Sequence, residues 1–414
     1  MPLAVLPVDL PDHTMHAMAQ DTDGDGTDEL IIASRQPADD GPDGAVLTVV
    51  SFRSPAVIDD TDRITLGTRP MVWDGRFAVD RNGLVSLSPR GVLVTQSNPM
   101  SALGPTTPRH GRVVYTLDGR PVLALWSDGA YGLYEVDGAP ILRTPAPATG
   151  WVEGSDEAGG DGLDITLRQP GLVIGDLDGD GADEVLIPGP TELTGTGGSI
   201  PLPKRIVAKE GDDERWVTDV AWVDMNGDGK LDLVLSEMAG DGSFFGSTAE
   251  ISWYTGTGSS FVASGTLKTG TGSWDMFLRD VDGDGDPDLL LPQVDIGVTS
   301  LARGLMSKRI PVQISLYENT GGSFSEGRVV LQTSVDLDEP TTAWTADADL
   351  DGDGLSELVY IEGTQVIVRS LDGTELGRTN SLGATELVTA DVDGDGRREV
   401  FAWGEDRGVL ITLE

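Results

Sequence analysis

One nine-residue pattern, Asp-x-Asp/Asn-Gly-Asp-Gly-x-x-Asp/Glu, occurs six times in this chain of 414 residues. The copies are DTDGDGTDE (21–29), DLDGDGADE (176–184), DMNGDGKLD (224–232), DVDGDGDPD (280–288), DLDGDGLSE (349–357) and DVDGDGRRE (391–399). A single copy in a chain with 55 glycines and 69 acidic residues is unremarkable, but six with invariant internal spacing are not coincidence. Recurrence at intervals of tens of residues marks a stack of supersecondary units, each too small to bury its apolar surface alone.

The flanks repeat as faithfully as the loops. Positions ten to twelve are Leu30-Ile31-Ile32, Val185-Leu186-Ile187, Leu233-Val234-Leu235, Leu289-Leu290-Leu291, Leu358-Val359-Tyr360 and Val400-Phe401-Ala402. Short apolar runs bounded by turn signals read as strands buried on both faces. A second strand-like stretch precedes most copies, as in GLVIGD, VTDVAWVD, WDMFLRD and ELVTAD, so each acidic loop joins two neighbouring strands. More strands follow, such as GTQVIVRSL with Asp372-Gly373 as a hairpin turn. The last five copies start at 176, 224, 280, 349 and 391, intervals that suit one four-stranded propeller blade with variable loops.

The stretch between 21 and 176 has room for three such intervals and contains two degenerate loops, centred on Asp80-Arg81-Asn82-Gly83 and Asp118-Gly119. The sequence therefore predicts an all-β chain: a single β-propeller domain over 1–414, eight-bladed with seven blades as the alternative, built from four-stranded antiparallel blades. The degenerate blades fall within about 60–150. EVFAWGEDRGVLITLE is too short for a last blade, so the N-terminal PLAVLPVDL is expected to pair with it and close the ring. Residues 292–311 (PQVDIGVTSLARGLMSKRIP) break the pattern and are expected to be an insertion. In it Val298, Leu301 and Leu305 recur at helical spacing, with Thr299 as N-cap.

Carboxylates at alternate positions repel one another strongly and require a counter-charge. Oxygen-only donors, with glycine at position 6 for a sharp wrap, fit a hard dication, and calcium better than magnesium, which retains more of its water. An EF-hand is excluded, because position 12 is apolar or nearly so in every copy and a strand follows in place of a helix.

The repeat resembles the FG-GAP/VCBS family of calcium-binding β-propeller repeats, found in integrin alpha-chain heads and many bacterial surface proteins. The resemblance spans most of the chain and lies nearer the bacterial branch, since Gly138-Ala139-Pro140 sits outside any complete copy. It implies about six Ca2+ sites, with position 7 contributing its backbone carbonyl. The implied ligands are Asp21, Asp23, Asp25, Thr27 and Glu29 in the first loop, and Asp176, Asp178, Asp180, Ala182 and Glu184 in the second. The third has Asp224, Asn226, Asp228, Lys230 and Asp232, and the fourth Asp280, Asp282, Asp284, Asp286 and Asp288. The fifth has Asp349, Asp351, Asp353, Leu355 and Glu357, and the sixth Asp391, Asp393, Asp395, Arg397 and Glu399. Asn226 removes one charge from the third site.

Composition narrows the function classes. A net charge of −41 disfavours nucleic acid and anionic membranes as partners, and no apolar run is long enough to span a bilayer. The absence of cysteine excludes disulfides, iron–sulfur clusters, thiolate zinc and cysteine nucleophiles. The opening MPLAVLPVDLPDH does not read as a signal peptide. His13, His16 and His110 read as surface or packing residues, and no nucleophile elbow, zinc-protease motif or phosphate loop appears. Trp216, Trp222, Trp274 and Trp344, just ahead of loops three to five, read either as packing between blades or as a sugar-stacking platform.

The expectation is a calcium-stabilised, non-enzymatic binding or scaffold module, extracellular or on the cell surface, with a protein or glycan partner. The alternatives are a polysaccharide lyase or hydrolase, or a lectin, on the same propeller. Arg303, Lys308 and Arg309, a basic cluster in an acidic chain, are a candidate surface for self-association.

Overall fold

The computed structural model describes residues 3–21, 25–37, 44–66, 72–74, 77–79, 83–87, 93–97, 114–127, 129–135, 139–146, 149–154, 163–168, 171–189, 191–196, 198–203, 215–239, 248–269, 273, 276–294, 308–336, 343–404 and 407–413. Among these residues all regular structure is β, and there is no helix.

The strands form four-stranded antiparallel meanders in which chain neighbours pair in order. The first sheet runs Thr14–Gln20, Glu29–Gln36, Gly44–Ser54, Val57–Leu66. Similar meanders span 72–97, 114–145, 173–201, 215–268, 277–336 and 344–380. The final sheet is mixed in origin. Its strands Glu386–Ala390, Glu399–Trp403 and Arg407–Leu413 are completed by Leu3–Asp9, which pairs from Leu3 opposite Leu413 to Asp9 opposite Arg407. The expected pairing of the two ends is therefore present.

Every complete acidic loop joins the first and second strands of its sheet. The second strands are the core. Leu30, Ile31, Ile32, Leu233, Val234, Leu235, Leu289, Leu291, Leu358, Phe401 and Ala402 have no measurable exposure. Fully burying a side chain of this size contributes roughly 1.5–3 kcal/mol, and alternation sends successive residues to opposite faces. The clusters follow that rule. Phe401 packs with Leu30 and Ile32 of the first sheet, while Val400 and Ala402 pack with Val359 and Ile361 of the 344–380 sheet. Leu358 and Tyr360 face Leu290, and Leu289 and Leu291 face Val234. The sheets from 114–145 onward thus stack face to face in chain order, and the mixed sheet packs against both the preceding sheet and the first.

Both degenerate loops are flanked by paired strands. Phe77–Val79 pairs with Gly83–Leu87, and Val114–Leu117 pairs with Arg120–Ser127 through a turn in which Asp118 (φ 50°) and Gly119 (φ 73°) are both left-handed. One element was not anticipated: a two-stranded ribbon, Thr149–Gly154 with Leu163–Arg168, between two meanders. The insertion is narrower than expected, because residues 292–294 finish the strand Asp288–Val294 and 309–311 begin Arg309–Tyr317. Thr299, Val298, Leu301, Arg303 and Leu305 lie outside the described residues, as do Asp23, Arg81, Asn82, His110, Gly138 and Trp274.

Candidate metal centre

The loop sequence dictates its own wrap. Glycines at positions 4 and 6 take left-handed backbone: Gly179 and Gly181 at φ 80° and 86°, Gly283 and Gly285 at 75° and 92°, Gly394 and Gly396 at 72° and 86°. That conformation is strained for any residue with a Cβ. It curls successive N–H groups around the position 1 carboxylate. In the second loop Asp176 accepts from Gly179 N through Oδ1 (2.6 Å) and from Gly181 N through Oδ2 (2.8 Å). Asp349 and Asp391 accept the same pair of bonds. Position 3 accepts from the N–H of position 5, and position 5 from that of position 7, as in Asp351 with Asp353 N (3.1 Å) and Asp353 with Leu355 N (2.9 Å).

Position 9 opens the next strand and reaches back into the loop. Its carboxylate accepts the N–H of position 2: Glu184 from Leu177 (2.8 Å), Asp232 from Met225 (3.0 Å), Asp288 from Val281 (3.1 Å), Glu357 from Leu350 (2.6 Å), Glu399 from Val392 (3.2 Å). Apart from half-buried Glu184, the position 9 acids are buried, Asp288 completely. The two aspartates also accept a second backbone N–H, Asp232 from Gly256 (2.7 Å) and Asp288 from Asn319 (2.7 Å).

These bonds preorganise a cluster of negative charge. In four loops, one carboxylate oxygen from each of three acids lies within 4.8 Å of the others: Asp176, Asp178 and Asp180; Asp280, Asp282 and Asp288; Asp349, Asp351 and Asp353; Asp391, Asp393 and Asp395. The third loop, with Asn226 at position 3, is not among them.

Burial, reinforced by the neighbouring aspartates, drives the position 9 acids of the second to sixth loops upward, Asp288 to about 6 and both Glu357 and Glu399 to about 7. Asp282 and Asp351 shift in the same direction for the same reasons. A carboxylate so unwilling to ionise needs a cation or a proton. The donors are hard oxygens throughout, so the residues fit a hard metal ion. Position 7 donates its N–H to position 5; the Thr27 hydroxyl does the same to Asp25, and Asp286 Oδ2 accepts Gly321 N (2.9 Å). Arg397 also sets its guanidinium on Asp395 Oδ2 (Nε 2.9 Å), and Lys230 Nζ sits 3.6 Å from Asp228 Oδ2.

The loops also touch one another, which the repeat alone did not reveal. The N–H of position 8 donates to a carbonyl of the loop before it: Leu231 to Asp176 (2.8 Å), Ser356 to Val281 (3.0 Å), Arg398 to Asp349 (3.1 Å) and Asp28 to Asp391 (2.6 Å). Asp183 N reaches the degenerate loop at Asp118 Oδ1 (2.8 Å). In the fourth loop position 8 is Pro287, which has no N–H, and Asn319 Nδ2 supplies the bond to Met225 O (2.7 Å). The sequence signal was there, a proline where the other copies have a donor.

The remaining candidates separate cleanly. His16 stands on a first strand beside the Trp403 ring; burial lowers its pKa against the pull of Glu386. His13 sits in a turn with φ 59°. Trp126 and Trp253 are buried and donate to Ala146 O and Gly322 O. Trp222 meets the Phe261 ring edge to face at 5.6 Å. These three pack the interior. Trp344 is half-exposed, beside Phe277.

Residues 224–291 match the family model for the FG-GAP-like repeat, a span that runs from the third loop through the strand after the fourth. No curated protein matches the chain. Among solved structures, the WD40 domain of SCAP from fission yeast aligns over 99% of this chain and 98% of that chain, at 9% identity and a TM-score of 0.31. The chain is an all-β protein of propeller-type four-stranded sheets that carries an FG-GAP-like repeat at 224–291.

Proposed function

We propose that the chain is a calcium-stabilised, non-enzymatic binding module: an eight-bladed propeller, closed by its mixed sheet, whose six acidic loops each hold one Ca2+. The carrying observation is the shared loop geometry, in which carboxylates converge and a buried position 9 acid is pinned to the position 2 N–H. Ring closure is supported by the bond from Asp28 to Asp391, which treats the sixth loop as the neighbour before the first. Ligands are positions 1, 3, 5 and 9 with the position 7 carbonyl, as in Asp349, Asp351, Asp353, Leu355 and Glu357. The ions rivet each hairpin, since sites spread around a ring cannot all line one ligand. The partner is a protein or glycan outside the cell or on its surface, where calcium is plentiful, and Arg303, Lys308 and Arg309 are the candidate surface for self-association.

The test is calorimetric titration of chelator-treated protein with Ca2+, paired with thermal denaturation. Ligand at 100 times its Kd stabilises by about 2.7 kcal/mol per site, so a large rise in melting temperature is expected. A melting temperature that chelator and calcium leave unchanged refutes the reading.

A further inference from the structure

We infer that the first strands of three successive sheets form a binding pocket for one neutral pyranose residue of a glycan; this rests on the binding-module reading and specifies its partner. The strands are Phe277–Arg279, Trp344–Ala348 and Glu386–Ala390. Between them lies a cavity of about 350 Å3, lined by Phe277, Arg279, Trp344, Asp347 and Glu386 together with leucine, alanine and threonine side chains. A second cavity of about 220 Å3 continues past Phe277 and Trp344 between two sheets. Ligand pockets begin at roughly 300 Å3, so the space suits a single sugar ring rather than a long chain.

The aromatic wall is out of keeping with the rest of the fold. Phe277 is 36% exposed, and among the residues whose side chains the structure describes every other Phe, Tyr and Trp is buried or half-buried. Phe277 meets Trp344 edge to face at 5.0 Å and 79°, which fixes both rings. Core packing does not require Phe277 at an exposed position on a first strand. Such a ring offers a flat apolar face against which the C–H face of a pyranose stacks.

The polar groups of the pocket are oriented. Thr345 and Thr389 hydroxyls both donate to Asp347 Oδ1, which holds the carboxylate of this lining residue and leaves Oδ2 without a hydrogen bond among the described residues. Arg279 spends Nη1 on Leu278 O (2.9 Å), and its other N–H groups make no hydrogen bond among the described residues. Glu386 adds a second acceptor. Vicinal hydroxyls, each donor and acceptor at once, are matched by such planar carboxylate and guanidinium groups. Two acids against one base, on a chain of net charge −41, repel acidic sugars and leave the neutral ones.

The experiment uses the full chain in calcium, with methyl glucopyranoside, galactopyranoside, mannopyranoside and fucopyranoside as probes, read by saturation-transfer NMR and tryptophan fluorescence. At least one glycoside is expected to bind. Phe277→Ala and Asp347→Asn should each weaken it roughly tenfold or more, which corresponds to losing one stacked ring or one oriented acceptor. Glu386→Gln serves as the milder variant should either fail to fold. No binding by any of the four, or binding untouched in all folded variants, overturns the inference. Binding of arginine methyl ester in place of every glycoside also overturns it, by assigning the pocket to a basic peptide. Calcium-dependent melting of the same samples reports on the module reading separately.

Discussion

Asn319 offers the sharpest test of how the loops are joined. Its side chain is 1% exposed, and its Nδ2 donates to Met225 O at 2.7 Å and to Pro287 O at 3.2 Å, while Oδ1 accepts Gly322 N at 3.0 Å. Asn319→Ala orphans the buried Met225 carbonyl and the partly buried Pro287 carbonyl; Gly322 N can turn to water. An unsatisfied buried group costs roughly 1–3 kcal/mol, so the variant should lose about 2–4 kcal/mol, with or without calcium. The assay is urea denaturation followed by tryptophan fluorescence, in calcium and in chelator. The decisive step is a second substitution. Pro287→Ser restores the N–H that the other loops use at position 8. Alone it should be neutral or cost up to about 1 kcal/mol through the freer unfolded chain, yet in the Asn319→Ala background it should stabilise. A loss below about 1 kcal/mol for Asn319→Ala, or no change of sign for Pro287→Ser between backgrounds, refutes the reasoning.

Other outcomes follow from the same loops. Gly283 has φ 75°, and a Cβ there would lie 2.8 Å from Gly354 O, so Gly283→Ala should lower the urea midpoint in calcium and chelator alike, by at least about 1 kcal/mol. Arg397→Leu frees Asp395 Oδ2 from an exposed ion pair worth at most about 1 kcal/mol, so a calcium titration should show one site tightened up to roughly fivefold; Leu355→Arg should weaken the fifth. Metal-free protein should be more stable in acid than at neutral pH. Glu357 and Glu399 titrate at about 7 in the folded chain, above the ordinary 4.5, so their contribution is present below pH 4.5 and lost as pH rises through 7. After screening this amounts to about 1–2 kcal/mol per group. Melting in chelator at pH 5 and pH 8 checks it, and saturating calcium should reverse the order.

The fold was legible because two signals agreed: a fixed acidic spacing and an apolar triplet immediately after it. Leu30-Ile31-Ile32 reads as a doubly buried strand because nothing polar interrupts it, and burial on both faces is what stacking sheets produces. The roles of Gly179 and Gly181 were half legible. A left-handed turn follows from the sequence, but not that a Cβ at Gly179 would strike Lys230 of the next loop. Position 9 was read as a ligand, whereas its bond to the position 2 N–H, and the burial that lifts Glu357 and Glu399, depend on tertiary packing. Phe277, Asp347 and Glu386 went unnoticed altogether. They come from three sheets with no shared spacing, so only the stacking of first strands brings them together. The ribbon 149–168 was equally hidden, since the segment between its strands, SDEAGGDG, does not keep the nine-residue spacing.

The pairing of Leu3–Asp9 with Arg407–Leu413 bears on how the molecule is made. A ribosome delivers the first of these segments some 400 residues before the second, so the seam waits for everything between them. Bringing together ends some 400 residues apart costs roughly 5 kcal/mol in chain entropy, and contacts of such separation form slowly. Until then Arg407–Leu413 has a bare edge, and a second nascent chain can supply the missing strand in trans. The same clasp that secures the finished protein is thus the point at which crowded synthesis would swap strands between copies.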